Sequence, residues 1–377
     1  MLRVGVTGQS GFVGSHLFNT LGLNPDKFSR IPFEDSFFDD PARLEGFISS
    51  CEVVIHLAAV NRHPDPEWIY NTNISLVRKL IDACIKTNSI PHILFSSSTQ
   101  EERDNPYGRS KKEGREMLEK WAERSGAKFT GMIIPNIFGP FCLPKYNSVV
   151  ATFCHQLTHN EMPRIDVDTD LRLIYVNELV AWILKRIESE VPDTSSAITS
   201  IEVPYTSSIK VSELLERLKL IHGEYFSEGK IPDLSQEFNK NLFNTFLTYV
   251  DHKSLFPFNL RLNSDNRGSF VEVIRLNNGG QISFSTTRPG ITRGNHFHTR
   301  KAERFAVIKG NARIELRRIG TTDKKTFLLN GNNPSFVDMP VWFTHNITNI
   351  GLDDVYTFFW INESYNPSDP DTYYEEV

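Results

Sequence analysis

No apolar run in the 377-residue sequence approaches the roughly 20 residues needed to cross a bilayer. The chain also enters a strand pattern at Leu2, which leaves no room for a signal peptide. A membrane or exported protein is therefore not expected, and a cytoplasmic one is. Cysteine is sparse: Cys51, Cys84, Cys142 and Cys154 stand apart with no C-x-x-C pair, which argues against a disulfide framework or a thiolate metal site. Buried free thiols are the expectation. An excess of positive charge is missing too. With 41 Lys and Arg against 46 Asp and Glu the net charge is −5, so neither nucleic acid nor a membrane surface is expected as a partner.

What is present begins at once. The stretch RVGVTGQSGFVGSH places an apolar run around Val4 and Val6 before Gly8, Gly11 and Gly14, followed by residues that can carry a helix. That order reads as strand, tight turn and helix N-terminus. Glycines let the backbone approach a nucleotide pyrophosphate, and free N–H groups with the positive end of the helix dipole offset its charge. The pattern alone also fits a glycine-rich turn in another α/β unit. A second strand is expected over Lys27–Ile31, but its end lacks the acidic residue that would accept from the ribose 2′-hydroxyl of NAD. Ser29 and Arg30 stand there instead, which favours NADP(H), with a solvated surface arginine as the alternative.

The run CEVVIHLAAV at residues 51–60 suits a strand buried on both faces, and helical periodicity follows over Glu67–Lys86. Strands alternating with helices predict a doubly wound parallel sheet. After a strand from His92, the segment NPYGRSKKEGREMLEKWAE opens on a proline and runs on as a helix through Trp121. Tyr107 and Lys111 lie four apart and share one face of it. The Lys111 ammonium is expected to lower the phenol pKa of Tyr107, which can then exchange a proton with a carbonyl or alcohol, while a serine of the preceding strand holds the same oxygen.

The glycine spacing, the His56–Ala59 HLAA segment, Ser98 with Tyr107-x-x-x-Lys111, and PNIFGP at Pro135–Pro140 together resemble the extended short-chain dehydrogenase/reductases that act on nucleotide sugars. The resemblance implies a Rossmann-like fold, with Gly8, Gly11, Gly14, Arg30, His56, Ala58 and Lys111 at the cofactor. It also implies catalysis by Ser98, Tyr107 and Lys111. Ser98 precedes Tyr107 by fewer residues than is usual in the family, so Ser97 and Thr99 stay open as alternatives. Asn136, Asn147 and Ser148 fall where the family contacts its substrate. Arg172, in DTDLRLIYVNELVAWIL, matches the arginine that faces the diphosphate, with a surface salt bridge as the alternative.

The character changes near Asp251. Short strands separated by Gly, Asn and Pro predict an all-β barrel over residues 251–377, after a reductase domain over 1–250. His296 and His298 at i and i+2 project from one face of a strand; with Glu303 and His345 they can converge on one divalent metal. This set is similar to the cupin pattern, although Trp342 stands where a glycine is usual. Zinc is the expected ion, with iron, nickel and manganese compatible. SDNRGSFVE and TRGNH further resemble the sugar-nucleotide 3,5-epimerases, themselves cupins. That likeness implies Arg267 at the nucleotide diphosphate and Arg293 with His296 at the sugar.

Both domains in this order, with NPYGRSK, NSVVATFC, DNRGSF, GITRGNH and a C-terminal PDTYYEEV, resemble the bifunctional enzymes of capsular polysaccharide synthesis. Implied are C3 epimerisation of a UDP-linked 4-keto amino sugar by the cupin, C4 reduction by the reductase with NADPH, and a homodimer. Two points stay open: whether His296 is metal ligand or proton shuttle, and whether the cupin is catalytic or a metal-stabilised dimerisation module.

Overall fold

The computed structural model describes residues 1–188, 197–260, 262–265, 268–271, 273–274, 276–278, 280–363 and 366–377. Two compact units emerge. One comprises residues 1–138, 142–148 and 170–209; the other comprises 139–141, 149–169 and 210–377.

In the first unit β1 (Leu2–Thr7), β2 (Phe28–Ile31), β3 (Val53–His56), β4 (His92–Ser98) and β5 (Phe129–Ile134) stand in the order β2-β1-β3-β4-β5, and a sixth strand, Ile198–Glu202, follows β5. Every pairing is parallel. Burial on both faces explains the unbroken apolar run at β3. Val53 and Ile55 face a core with Val4, Val6, Leu17, Leu21 and Leu94, while Val54 faces the opposite core with Phe47, Leu80, Phe95 and Trp121. The helices on the second face start alike. In α2 (Pro41–Ser50), α3 (Pro66–Thr87) and α4 (Pro106–Ser125) a proline opens the helix after Asp40, Asp65 or Asn105, whose side chain accepts first-turn N–H groups. A fixed proline φ and an acidic or amide cap are both favourable there. Only α1 (Phe12–Gly22) differs among these four: its cap is Gly11, with no side chain on the first-turn N–H groups.

The second unit holds two five-stranded antiparallel sheets, the all-β cupin arrangement expected. One runs in the order Phe258–Asn259, Ser335–Met339, Glu303–Lys309, Val355–Ile361, Gln281–Thr287; the other in the order Lys324–Asn330, Asn311–Arg318, Phe343–Asn349, Thr292–Phe297, Tyr373–Tyr374. The division differs from a boundary at 250/251, because helices Val211–Glu228 and Glu237–Leu247 belong to this unit. The reason is visible in their side chains. Leu218, Tyr225, Phe243 and Phe246 are buried, and the Tyr225 hydroxyl donates to Asp338 of a β strand.

Asp338 also accepts from Arg304 Nε at 2.7 Å and Nη2 at 2.9 Å, and Arg304 is only 1% exposed. A buried pair of this kind contributes little net stability, but losing one partner strands the other charge. Asp338→Ala is therefore expected to destabilise this unit by about 3–5 kcal/mol in urea unfolding, and Arg304→Met with Asp338→Leu to recover most of the loss. Equal stability of Asp338→Ala and the parent chain would contradict the account.

Candidate active site and metal centre

The strand order reverses between β1 and β3, and a ligand cleft belongs at the carboxyl ends of strands at such a point. A cleft of about 410 Å³ opens there, and Gly8, Gly11 and Gly14 line one end of it. A Cβ on Gly14 would stand 2.0 Å from the Gly8 carbonyl oxygen, so only glycine permits the turn. With the α1 cap bare of side chains, the loop fits a pyrophosphate.

Ser98, Tyr107, Lys111, Asn136, Asn147 and Ser148 line the same cleft, so the structure gathers nine of the expected residues, the three glycines included. The short β4–α4 connection does not separate Ser98 from Tyr107. Ser98 Oγ accepts from Gln100 N at 3.2 Å and keeps its own proton to donate, whereas the Ser97 hydroxyl is taken by Glu101. Ser98 is thus the better candidate of the two. Lys111 Nζ donates to Ser96 O at 2.8 Å and lies 5.7 Å from the Tyr107 ring centroid.

The expected depression of the Tyr107 pKa is not found. Burial, with Tyr146 beside it, pushes that phenol up to about 12, and burial also lowers Lys111 to about 7. A lysine with a pKa near 7 is already neutral where such a phenol titrates, so it lends the phenolate no charge to offset desolvation. A phenol that stays protonated is the form that can give a proton to a carbonyl oxygen.

Other expected residues lie elsewhere. The His56 ring is buried, bonded through Nδ1 to Thr7 Oγ1 at 2.7 Å and stacked on Phe95, and burial lowers its pKa to about 3. It holds β1 to β3 rather than lining the cleft. Ala58 lines a neighbouring cleft that shares Gly8 and Gly11 and includes Asp35, which accepts from Ser10 Oγ at 3.2 Å. Arg30 lines neither cleft; its guanidinium donates to Phe18 O at 3.2 Å and lies over the Phe18 ring. Arg172 is exposed, 5.4 Å from the Tyr205 ring centroid, and outside the cleft lining.

Asn61, Gln100, Cys142 and Tyr146 are among the lining residues that were not foreseen. Asn61 Oδ1 is buried without a hydrogen-bond partner, and Arg62 Nη1 donates to Lys145 O at 2.6 Å and Tyr146 O at 2.9 Å, bracing the loop opposite. Of the cysteines Cys51, Cys84 and Cys154 are buried and Cys142 half-buried, all as free thiols. Among the described residues no helix is long and apolar enough to cross a membrane.

In the second unit His296, His298, Glu303 and His345 present ligand atoms all within 4.8 Å of one another. A bulge builds this cluster. Arg293 pairs with Ile347 and Gly294 with Asn346, but His296 pairs with His345, so Asn295 is the extra residue and Arg293 and His296 share a face. Gly294 at φ +105 brings the backbone so near that a Cβ would stand 2.7 Å from His345 O.

His345 Nε2 is 2.8 Å and His298 Nε2 3.2 Å from Glu303 Oε2, yet none of these three buried atoms makes an aligned hydrogen bond. Burial works against the Glu303 carboxylate, but His298 and the surrounding imidazoles hold its pKa well below the usual value. Burial lowers His345 as well. Burial works against charge on His298, but Glu303 raises its pKa; a cation would displace that proton, and an ionised carboxylate facing imidazole nitrogens fits a divalent metal. The His296 side chain is 26% exposed, against 8% or less for the other three, which leaves the cluster open on its side. The Arg293 guanidinium donates to Thr286 O at 3.0 Å. Arg267 lies outside the described residues.

For any carbonyl substrate that the Ser98, Tyr107 and Lys111 set reduces, kcat/KM should fall as pH rises through about 7, because Lys111 then loses the charge that supports proton donation. The pH profile of Lys111→Arg should lack that inflection. An unchanged inflection in this variant would assign it to another group.

Comparison with known proteins agrees with this geometry. The NAD dependent epimerase/dehydratase family matches residues 4–197, and the polysaccharide biosynthesis C-terminal domain matches residues 263–373. The UDP-2-acetamido-2,6-beta-L-arabino-hexul-4-ose reductase of Pseudomonas aeruginosa is 34% identical over 377 residues, covering 99% of this chain and 98% of its own. The crystal structure of capsular polysaccharide assembling protein CapF from Staphylococcus aureus aligns over 100% of both chains, with 34% identity and a TM-score of 0.62. UDP-glucose 4-epimerase from Thermotoga maritima, at 22% identity and a TM-score of 0.56 over 66% of this chain and 98% of its own, shares the fold. The chain belongs to the NAD dependent epimerase/dehydratase family, in the form that continues into a polysaccharide biosynthesis C-terminal domain.

Proposed function

We propose that this chain is a cytoplasmic, homodimeric, bifunctional nucleotide-sugar enzyme. The His/Glu cluster epimerises C3 of UDP-2-acetamido-2,6-dideoxy-hexos-4-ulose, and the cleft of the first unit reduces C4 with NADPH. The product is UDP-N-acetyl-6-deoxy-L-talosamine, on the way to UDP-N-acetyl-L-fucosamine. The observation that carries this is one cleft lined by the glycine turn, Ser98, Tyr107 and Lys111, on a chain that also carries the open His/Glu cluster. The 4-ulose reductase of P. aeruginosa, alike over its whole length, supports the substrate class.

The chemistry orders the steps. A hydrogen on C3 is acidic only while C4 is a ketone, since the electron pair left by the C–H bond needs the carbonyl oxygen as its sink. Epimerisation therefore precedes reduction, and reduction removes the acidity and fixes C3. In the cluster, His298, Glu303 and His345, with His296, would hold a divalent cation, expected to be zinc. When bound, it supplies a Lewis acid to the oxygen that becomes negative. Arg293 is the protein group offered to the same charge, and His296, on the exposed side, is the one placed to carry the C3 proton if it is not a ligand.

In the cleft the turn of Gly8, Gly11 and Gly14 would hold the pyrophosphate of the nucleotide, which when bound would supply the hydride for C4. Tyr107 gives its proton to the C4 oxygen, Ser98 donates to the same oxygen, and the Lys111 charge favours that transfer. In this cleft Asn136, Asn147 and Ser148 are assigned to the sugar nucleotide and Arg172 to its diphosphate, whereas Arg267 is assigned to the diphosphate at the His/Glu cluster of the second unit. The choice of NADPH rests on the missing acidic residue at Ser29 and Arg30; to reach a 2′-phosphate Arg30 has to leave Phe18.

The two activities should separate by mutation. Tyr107→Phe is expected to lose NADPH oxidation by about 10²-fold or more while still exchanging the C3 hydrogen for solvent deuterium. His345→Ala is expected to lose the exchange and keep reduction of the unepimerised ketone. Exchange that survives His345→Ala and is lost in Tyr107→Phe would overturn the division and leave the second unit without a catalytic role.

A further inference from the structure

The C-terminal sequence PDTYYEEV, residues 370–377, has no part in the chemistry above, yet it wraps the metal-ligating residues. Strand Tyr373–Tyr374 pairs antiparallel with the ligand-bearing strand, Phe297 opposite Tyr373 and His296 opposite Tyr374. Beyond it Glu375 N donates to Asn295 O at 3.0 Å, and the Glu375 carbonyl accepts from Thr344, next to His345.

The tightest grip is at Asp371, which is 2% exposed and sits at φ +39. Its carboxylate accepts from Thr299 N at 3.1 Å, Thr299 Oγ1 at 2.6 Å and Arg300 N at 3.0 Å. Those are the two residues after His298. The main-chain carbonyl of Asp371 accepts from His298 Nδ1. Lys301 Nζ, buried, donates to Pro370 O at 2.6 Å, and Arg300 Nη2 to Asp369 Oδ2 at 2.7 Å. The chain end is thus tied to every residue from His298 to Lys301.

We propose that the segment 369–376, through Asp371, is the positioning element of the cation site. The carbonyl of Asp371 fixes the proton of His298 on Nδ1, which leaves the Nε2 lone pair pointing at Glu303 and at a cation. The carboxylate seats that carbonyl by holding residues 299 and 300. His345 has a similar arrangement on a smaller scale, with Nδ1 3.2 Å from Phe343 O. An outer partner of this kind fixes ring orientation and tautomer, and its loss typically weakens metal affinity by about 10–100-fold. The proposal rests on the reading of the four residues as a cation site.

The test uses the full chain and zinc alone, with affinity measured by competition against a chromophoric chelator. Asp371→Gly keeps a residue that accepts positive φ but removes the carboxylate, and is expected to bind zinc about 10–100-fold more weakly. Asp371→Asn keeps an acceptor for Thr299 and also tolerates that φ, and is expected to retain most of the affinity. Thr299→Val, which removes one donor to Asp371, should weaken zinc in the same direction and carries the test if the glycine variant does not fold. The unfolding midpoints of the zinc-free proteins are compared in parallel, so that affinity is read only from variants folded at the temperature of the zinc titration. Full affinity in folded Asp371→Gly or in Thr299→Val would overturn the proposal alone. A parent chain that binds no zinc would overturn the cation-site reading and the proposal with it.

Discussion

The reversal of strand order between β1 and β3 is the constraint on which the reductase half depends. Chains leaving neighbouring strands in opposite directions leave a crevice at their carboxyl ends, and no side chain has to be removed to make room. The glycine turn then brings backbone N–H groups to the crevice because a Cβ at Gly14 would meet the Gly8 carbonyl. Everything else at the site is positioned from there. Lys111 reaches down to Ser96 O, Tyr107 enters on the first turn of α4 after the Asn105 cap, and Ser98 ends the strand alongside.

In the second unit one inserted residue has a comparable role. A regular strand from Arg293 to His298 would put Arg293 and His296 on opposite faces, since the side-chain period is two. Asn295, at φ +54 after Gly294, absorbs one residue and turns both to the same side. The cluster is thus framed by a bulge on one strand, Glu303 on a strand of the other sheet, and His345 opposite His296. Three of its atoms are buried without an aligned hydrogen bond, a costly state for a protein interior that a bound cation relieves.

Much of this was legible in the sequence because local chemistry dictates it. The β3 run predicted burial on both faces, and the proline at 106 marked one helix start. The glycine spacing, Tyr107 with Lys111, and the His/Glu set predicted side chains that do share a cleft or a cluster. The rest depends on surroundings no local pattern carries. The Tyr107 pKa moves up rather than down because burial affects the lysine as well as the phenol. Arg30 folds onto Phe18, and His56 serves the packing between β1 and β3. Asn61 and Arg62 follow directly on the HLAAV segment and could have been suspected for that reason. The helices after residue 210 looked like the end of the reductase because amphipathic periodicity says which face is buried, but not against what.

In the function proposed, a ketone at C4 connects the two chemistries: it would acidify C3 for the one and receive the hydride in the other. The most direct measurement of that claim is the product formed by the parent chain from the UDP-linked 4-keto sugar in D2O with NADPH carrying deuterium at the transferred position. The account predicts one nicotinamide oxidised per sugar, deuterium from solvent at C3 with inverted configuration, and deuterium from the cofactor at C4. A product that retains the C3 hydrogen, or turnover without net oxidation of NADPH, would contradict it.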